Sequence, residues 1–283
     1  MSPAAVRVTL AYAWRHRALL DLDRPCRFTE WVQWRKLHDR DRARARLTDK
    51  AHSKRIVAAA LGDLMIVPTM WEGLQLPPDP QWAFPFVVKS NHGCGDVVVV
   101  RTAADYARAR RAAPRWLARS YGRWLDEWHY RHARRMILVE PYIGPADGLP
   151  LDYKLYVFGG RAAIIQLHEQ RGEDHRWSQF DRGWRCLSTA TSTQPAPASL
   201  QAMIAAAERL GADHDFLRVD FYEVDGRALF GEFCLFPGSG LDRFDPIELD
   251  DRLGALWSAQ HPEVAIGRKR GAVAALGLEP STR

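Results

Sequence analysis

The chain has 283 residues, of which 47% are hydrophobic and 26% are charged, and this composition excludes a largely disordered protein. The sequence contains no apolar run of the roughly 18 residues that a transmembrane helix needs, and the arginines near the N-terminus argue against a secretory signal peptide. The net charge is +6, and the four cysteines are scattered without a CxxC pair, so we expect a cytoplasmic protein without a zinc site or a disulfide framework.

Helices and hairpins alternate along the predicted chain. Helices are predicted over residues 1–46, 50–60, 103–135 and 200–210. Strands are predicted at residues 65–67, 86–88, 97–100, 136–140, 152–158, 162–167, 217–224 and 227–235. Three strand pairs flank glycine-containing turns, and Asp225-Gly226 is the strongest hairpin signal among them. This mixture favours an α+β fold over a doubly wound parallel sheet.

Lysine is rare in this chain. Of the 40 basic residues, six are lysines and the other 34 are arginines. The lysines are Lys36, Lys50, Lys54, Lys89, Lys154 and Lys269. Because the compact ammonium group suits a phosphate, a lysine in an arginine-rich chain indicates a functional position more often than usual.

The hairpin over residues 217–235 carries a pair of carboxylates. Arg218 and Asp220 are two residues apart and face the same side, and the turn brings Asp220 near Glu232 on the next strand. Two neighbouring carboxylates repel each other unless a cation lies between them, and their oxygens suit Mg²⁺ on a substrate phosphate. The alternative is a pair of surface carboxylates, one neutralised by Arg218.

Two further groups of polar residues lie at strand ends. Lys89 ends an apolar run and opens a loop whose backbone N–H groups can cradle phosphates, although the loop can also be a plain turn. His92 in this loop is either a proton carrier or a polar contact of the loop. Asp152 and Lys154 share a strand face and are either part of a nucleotide site or an exposed ion pair.

Two weaker signals point to other functions. Asp21 and Asp23 form a D-x-D triplet of the kind that a metal-dependent glycosyltransferase uses for a nucleotide sugar, but such triplets are common by chance. The aromatic and basic stretch over residues 128–132 suits an anionic polymer or stacked bases, or else an amphipathic helix face. Neither a GxSxG motif nor a Walker-type phosphate loop is present.

The order of these motifs resembles the ATP-grasp superfamily, and within it the TupA-like family tied to teichuronopeptide and other cell-surface polymers. The resemblance covers about residues 45–255. It is carried by six segments in order: Leu47-Thr-Asp-Lys-Ala-His-Ser-Lys54, Phe86-Val-Val-Lys-Ser-Asn-His-Gly-Cys-Gly95, Ile137-Leu-Val-Glu-Pro-Tyr-Ile143, Asp152-Tyr-Lys154, Arg218-Val-Asp-Phe-Tyr222 and Gly231-Glu-Phe-Cys-Leu-Phe-Pro-Gly-Ser-Gly240. Each segment alone is a weak signal, and the ordered set is specific.

The resemblance implies a role for each matching residue. It implies ATP contacts for Lys50, with Lys54 as the alternative, and for Lys89, Ser90, His92, Gly93, Gly95, Glu140, Pro141, Tyr142, Ile143, Asp152 and Lys154. Asp220 and Glu232 match the Mg²⁺ carboxylates, and Arg218 matches the arginine beside the phosphates. Gly238, Ser239 and Gly240 are assigned to substrate binding, and Arg171 to the acceptor carboxylate or the acyl phosphate. Cys234 replaces the asparagine that often provides a third metal ligand.

The resemblance also implies an architecture of two lobes, whose antiparallel sheets, flanked by helices, grip ATP between them. The predicted parts are a helical segment (1–46), a small lobe (47–139), a large lobe (140–260) and a basic tail (261–283). The implied activity is an ATP- and Mg²⁺-dependent ligase that joins an acidic glycan or peptide acceptor to an amine donor.

Three rival functions stay open at this point: a kinase acting on a sugar hydroxyl, a glycosyltransferase, and a basic nucleic-acid or polymer-binding module. A nucleic-acid partner is not expected under the ligase hypothesis. Peripheral contact with a membrane or polymer through the arginine clusters remains open.

Overall fold

The structure, a computed structural model, describes residues 2–62, 65–146, 148–169, 176–189 and 192–264. Its helices are α1 (Pro3–His16), α2 (Phe28–His38), α3 (Arg42–Ala45), α4 (Lys50–Leu61), α5 (Ala103–Ala118), α6 (Leu200–Gly211) and α7 (Glu248–Ser258). Its strands are β1 (Trp71–Gly73), β2 (Phe86–Ser90), β3 (Val97–Val100), β4 (Ile137–Pro141), β5 (Asp152–Phe158), β6 (Arg161–Glu169), β7 (Arg176–Phe180), β8 (Leu217–Val224) and β9 (Arg227–Cys234). No helix within these ranges is long and apolar enough to cross a bilayer.

The strands form two antiparallel sheets. A small sheet has the order β1-β4-β2-β3, and a large sheet has the order β7-β6-β5-β8-β9. The three predicted hairpins are confirmed as β2–β3, β5–β6 and β8–β9. The α+β class and the two-sheet architecture are therefore as predicted from the sequence.

Each sheet has its own hydrophobic core. The larger core joins the large sheet to α6 and α2, and Phe28 and Trp31 of α2 are fully buried in it. Val57 of α4 belongs to the same core, so this helix packs on the large sheet although it precedes the small sheet in sequence. The smaller core lies between the small sheet and α5, with Phe86 and Tyr106 at its centre. The predicted helical segment thus contributes to the large core.

Two element predictions were wrong. The helix predicted over residues 103–135 ends at Ala118, because the backbone becomes extended at Arg119, and the chain turns again at Gly122, which has a φ of +72° and leaves no room for a Cβ beside Glu127. The strand predicted at residues 65–67 is only a single bridge between Ile66 and Phe230. The prediction also missed β1 and β7, which are edge strands, and the amphipathic helix α7.

Arg35 of α2 connects the large core to the edge of the large sheet. Its guanidinium is buried and donates to the backbone oxygens of Phe216 (3.0 Å) and Leu235 (3.3 Å) and to Oδ1 of Asp215 (2.7 Å). Burial alone would raise the pKa of Asp215, but Arg35 and other partners hold it well below its usual value. The pair therefore stays ionised inside the protein.

We expect Arg35→Leu to lower the free energy of unfolding by about 3–5 kcal/mol, because it leaves the Asp215 carboxylate buried with fewer partners. Urea denaturation measures this difference. The matched control is Arg108→Leu, which removes the exposed Arg108–Asp105 pair on α5 and should leave stability nearly unchanged. Equal losses in the two variants would show that Arg35 has no special role in the core.

Candidate functional site

A cleft of about 680 Å³ lies between the two sheets, within the range of roughly 300–1,000 Å³ usual for small-molecule sites. Strands β2, β3 and β4 line it from the small sheet, and β5, β8 and β9 line it from the large sheet. Most of the residues selected from the sequence line this one cleft: Lys50, Lys54, Lys89, Ser90, Gly93, Gly95, Glu140, Pro141, Tyr142, Ile143, Asp152, Lys154, Arg218, Glu232, Gly238 and Ser239.

Three of the selected residues that the structure describes, His92, Asp220 and Gly240, do not line the cleft. The imidazole of His92 is buried, with Nε2 3.0 Å from the backbone oxygen of Trp116 in α5. The backbone oxygen of Gly240 accepts a hydrogen bond from Gln33 (3.0 Å). Asp220 is buried beneath Arg218 and Lys154, which do line the cleft. Arg171 lies outside the described residues.

Glu140 holds two lysines at the cleft wall. Its Oε1 is 2.5 Å from Nζ of Lys54, and its Oε2 is 2.6 Å from Nζ of Lys89. Burial alone would raise the pKa of Glu140, but Lys89 and Lys54 outweigh this effect and lower it. Burial lowers the pKa of Lys54 against the opposing charge of Glu140. The three charged groups therefore form one compensated cluster.

Lys50 begins α4, one helical turn before Lys54. The helix starts there because Oδ1 of Asp49 accepts a hydrogen bond from the backbone N–H of His52 (2.8 Å). Nζ of Lys50 donates to the backbone oxygen of Gly93 (2.6 Å) and lies 3.5 Å from Oε2 of Glu232. Lys54 thus lies beside Lys89, whereas Lys50 lies between the loop of residues 90–96 and the large sheet.

The neighbouring strands β5, β8 and β9 carry a second charged network. Lys154 faces Asp220 across β5 and β8, and its Nζ is 2.5 Å from Asp152 and 2.7 Å from Asp220. Arg218 donates two hydrogen bonds to Asp220, of 2.7 and 2.6 Å. Burial would raise the pKa of Asp220, but Arg218 and Lys154 together keep it below its ordinary value. Asp220 therefore stays ionised with both of its oxygens engaged.

The carboxylates of Asp220 and Glu232 are on opposite residues of β8 and β9, because a bulge beside Phe221 shifts the register that the turn sets by one residue. No group of three or more His, Cys, Asp or Glu side chains gathers for a metal in the described part of the chain. Mg²⁺ commonly takes only one or two protein carboxylates and completes its shell with phosphate oxygens and water. Glu232, which lines the cleft, fits a magnesium ion that arrives with a nucleotide, whereas Asp220 would join it only by giving up contacts with Arg218 and Lys154. Burial raises the pKa of the nearby Cys234 thiol to about 12, which makes it a poor ligand.

The loop of residues 90–96 is anchored at its first two residues. The backbone N–H of Ser90 donates to the backbone oxygen of Asp96, and that of Asn91 donates to Met136, each at 2.9 Å. Oδ1 of Asn91 accepts a hydrogen bond from the backbone N–H of Ala51 in α4 (2.9 Å). The exposed part of the loop is its tip at residues 94–95. A ligand-dependent change is therefore expected at the tip rather than along the whole loop.

The loop after β9 has an uncommon backbone. Gly238, Ser239 and Gly240 have consecutive φ values of +52°, +56° and +64°, which favour glycine over serine. Two side chains of α2 hold it: Gln33 donates to the backbone oxygen of Ser239 (2.9 Å), and Nζ of Lys36 donates to the same oxygen and to Oγ, both at 2.7 Å. Burial lowers the pKa of Lys36 to about 8.

Several cleft residues were not found from the sequence. These are Tyr121, Glu127 and Tyr130 after α5, and Gln166, His168, Trp177 and Gln179 on β6 and β7. The residues after α5 were missed because the predicted helix continued through them. The two residues on β7 were missed because that strand was not predicted. Gln33 and Lys36, which support the cleft from α2, were also missed, and the rarity of lysine was the one signal that pointed to Lys36.

Of the two weaker motifs, the D-x-D triplet is a local turn, and the stretch over residues 128–132 contributes Tyr130 to the cleft. Oδ1 of Asp21 accepts hydrogen bonds from the backbone N–H groups of Asp23 (3.0 Å) and Arg24 (2.7 Å), which makes the D-x-D triplet a local turn. The stretch over residues 128–132 forms a 3₁₀ turn, and its His129 is fully buried.

Comparison with protein families gives a match to the family described as TupA-like ATPgrasp over residues 30–258. The chain belongs to the TupA-like ATP-grasp family. The match includes both sheets and every cleft residue named above. Comparison with curated protein sequences gives no match.

Solved structures similar to this TupA-like chain are ATP-grasp enzymes of low sequence identity. D-alanine–D-alanine ligase from Bacillus anthracis, complexed with ATP, is 16% identical with a TM-score of 0.49, and the similarity covers 80% of this chain and 68% of that one. The ADP complex of N5-carboxyaminoimidazole ribonucleotide synthetase is 14% identical with a TM-score of 0.46, covering 73% and 50%. L-amino acid ligase from Bacillus licheniformis is 14% identical with a TM-score of 0.43, covering 69% and 42%.

We expect Glu140→Gln to lower the melting temperature at neutral pH, because Lys54 and Lys89 lose their shared carboxylate. The pKa of Glu140 is lower in the folded protein than its ordinary value of 4.5, so its stabilisation is complete above that value and is lost as the pH falls through the folded pKa. The difference from the wild type should therefore shrink as the pH is lowered from about 7 to about 3. Glu72→Gln, on an exposed position of β1, is the control. A difference that stays constant with pH would contradict the predicted linkage.

Hydrogen exchange tests the loop of residues 90–96. Binding of Mg·ATP should slow exchange at residues 93–96, while Ser90 and Asn91 should be protected in both states by the hydrogen bonds described above. Mass spectrometry of overlapping peptides separates the two parts. Equal exchange at residues 93–96 with and without nucleotide would show that the loop is only a turn.

Proposed function

We propose that the protein is an ADP-forming ligase that joins a carboxylate to an amine through an acyl phosphate. The observation that carries this proposal is the charge arrangement in one cleft. The cationic groups of Lys50, Lys89 and Arg218 line the cleft together with the carboxylate of Glu232, and the opposed carboxylate of Asp220 lies directly beneath Arg218. A triphosphate needs several cations around it, and membership of the TupA-like ATP-grasp family supports ATP as their ligand.

The chain's own residues would act mainly by positioning and charge neutralisation. Lys50 and Lys89 bind phosphate oxygens, and Lys89 is held in place by Glu140. Arg218 uses two of its five N–H donors on Asp220 and keeps the others for a phosphate. Asp220 and Glu232 would hold Mg²⁺, which supplies neutralisation of the charge on the transferred phosphoryl group.

The reaction would have two steps. A carboxylate oxygen of the acceptor attacks the terminal phosphorus of ATP and releases ADP, and the amine nitrogen then attacks the acyl carbon and releases phosphate and a proton. The net charge of +6 favours an acidic acceptor, for which we propose an acidic glycan or an acidic peptide.

The direct test measures ADP release with a panel of acidic glycans, acidic peptides and amino acids, with hydroxylamine added to trap an acyl phosphate as a hydroxamate. A carboxylate labelled with heavy oxygen should transfer one labelled oxygen to the released phosphate. A phosphorylated acceptor that forms without an amine and without label in the phosphate would instead identify a kinase.

Glu232→Gln gives the sharpest test of the metal carboxylates. This side chain is partly exposed, and its lysine partner Lys50 keeps the hydrogen bond to Gly93. We therefore expect turnover to fall about a hundredfold or more while the melting temperature changes little. The control Glu72→Gln should leave both values unchanged.

Asp220→Asn should behave differently from Glu232→Gln. Asp220 is fully buried between Arg218 and Lys154, so its neutralisation should lower the free energy of unfolding by about 3–5 kcal/mol in addition to reducing turnover. Near-normal turnover in Glu232→Gln, together with a lower melting temperature in Asp220→Asn, would show that the two carboxylates support only the sheet.

A further inference from the structure

Helix α1 carries apolar side chains on two opposite faces. On the inner face, Val8 and Tyr12 are buried, and the hydroxyl of Tyr12 lies 3.2 Å from Oγ1 of Thr29. On the outer face, Val6, Leu10 and Trp14 follow each other at intervals of four residues and form one stripe. Because the inner face already docks the helix on the protein, the outer stripe has no role in holding the fold together.

The outer stripe is strongly exposed. The exposed fraction is 42% for Val6, 65% for Leu10 and 80% for Trp14, and Leu19 just after the helix reaches 88%. Four large apolar residues in one short segment are more than the single scattered ones normal for a protein surface. The segment therefore has the properties of a contact surface.

The charged side chains of α1 itself are all positive. Residues 2–20 include Arg7, Arg15 and Arg17 and no acidic residue. Arg7 also forms an ion pair with Asp126 (2.5 Å), which ties a second segment to α1. That segment carries Arg123 and Trp124, both exposed, Trp124 to 80%. Tryptophans and leucines flanked by arginines are typical of a helix that lies in the interface of an anionic bilayer.

We propose that α1 binds the surface of a membrane containing anionic lipids, with the Val6–Leu10–Trp14 stripe inserted among the lipids and the arginines at the headgroups. A second copy of the chain fits the stripe less well. The three side chains span only about 12 Å of helix, whereas a stable protein interface buries about 800 Å² per partner. Two copies would also bring Arg7, Arg15 and Arg17 of each chain close together, which repel.

Hydrogen bonds connect α1 to the segment beside the cleft, so membrane binding by α1 would affect where the cleft lies. Nε2 of His16 lies 3.0 Å from the backbone oxygen of Gly240, and Nε of Arg15 donates to that of Leu241 (3.0 Å). These residues adjoin the loop of positive φ values that lines the cleft. A membrane-bound α1 would therefore hold the cleft close to the lipid surface.

Vesicle sedimentation of the full chain tests the proposal. Vesicles of phosphatidylcholine with phosphatidylglycerol should bind the protein, and vesicles of phosphatidylcholine alone should bind it weakly. The double variant Leu10→Gln with Trp14→Gln should bind about tenfold less or worse, because it removes most of the inserted apolar surface. Arg17→Gln should bind about fivefold less, and the difference should disappear at high salt.

The matched control is Leu74→Gln, which changes an equally exposed leucine on another surface and should bind like the wild type. Equal binding of the double variant and the control would overturn the proposal. So would a dimer, seen by light scattering without lipid, that the double variant abolishes, since the stripe would then bind a second copy. Because the outer stripe makes no contact that the fold needs, both variants should keep the wild-type melting temperature.

Discussion

The structure depends on the compensation of positive charge that is buried around the cleft. Removing an ammonium or guanidinium group from water is costly unless an opposite charge accompanies it. Two cations share each carboxylate here: Lys54 and Lys89 pair with Glu140, and Lys154 and Arg218 pair with Asp220. The carboxylates come from strands in the middle of the sheets, so the positions of the cations are fixed by the sheets.

The same ion pairs also limit the free energy that a polyanionic ligand can gain by binding in the cleft. In the described structure the cations already have negative partners, so a triphosphate would share or displace these contacts rather than fill unpaired positions. The gain in free energy on binding is then the difference between two sets of ion pairs, and it is smaller than the sum of the new contacts. The ion pairs favour binding in another way: they already hold the lysine and arginine side chains in place, so these side chains lose little conformational entropy when a ligand binds.

Local patterns predicted the parts of the site that lie within one hairpin or one strand end. The turn at Asp225-Gly226 brings Asp220 near Glu232, although a bulge that was not predicted makes the two directly opposite, and the lysines at strand or helix ends were found by their rarity. The prediction failed for residues whose place in the site depends on contacts between segments far apart in the sequence. Nothing near Gln33 in the sequence indicates that its amide holds Ser239, 206 residues away. Similarly, the turn that follows α5 depends on the close approach of Gly122 to Glu127.

The loop of residues 237–240 determines how far the chain can be shortened at its N-terminal side without disturbing the cleft. Its left-handed backbone is strained at Ser239, and the groups that hold it in place come from α2. The family match begins at residue 30, in the first turn of that helix, so a fragment trimmed to the match would cut α2 near its start and remove Phe28 from the core. The conformation of this part of the cleft thus depends on α2, a helix that precedes both sheets in the sequence. A protein engineered to contain the cleft would therefore also need α2.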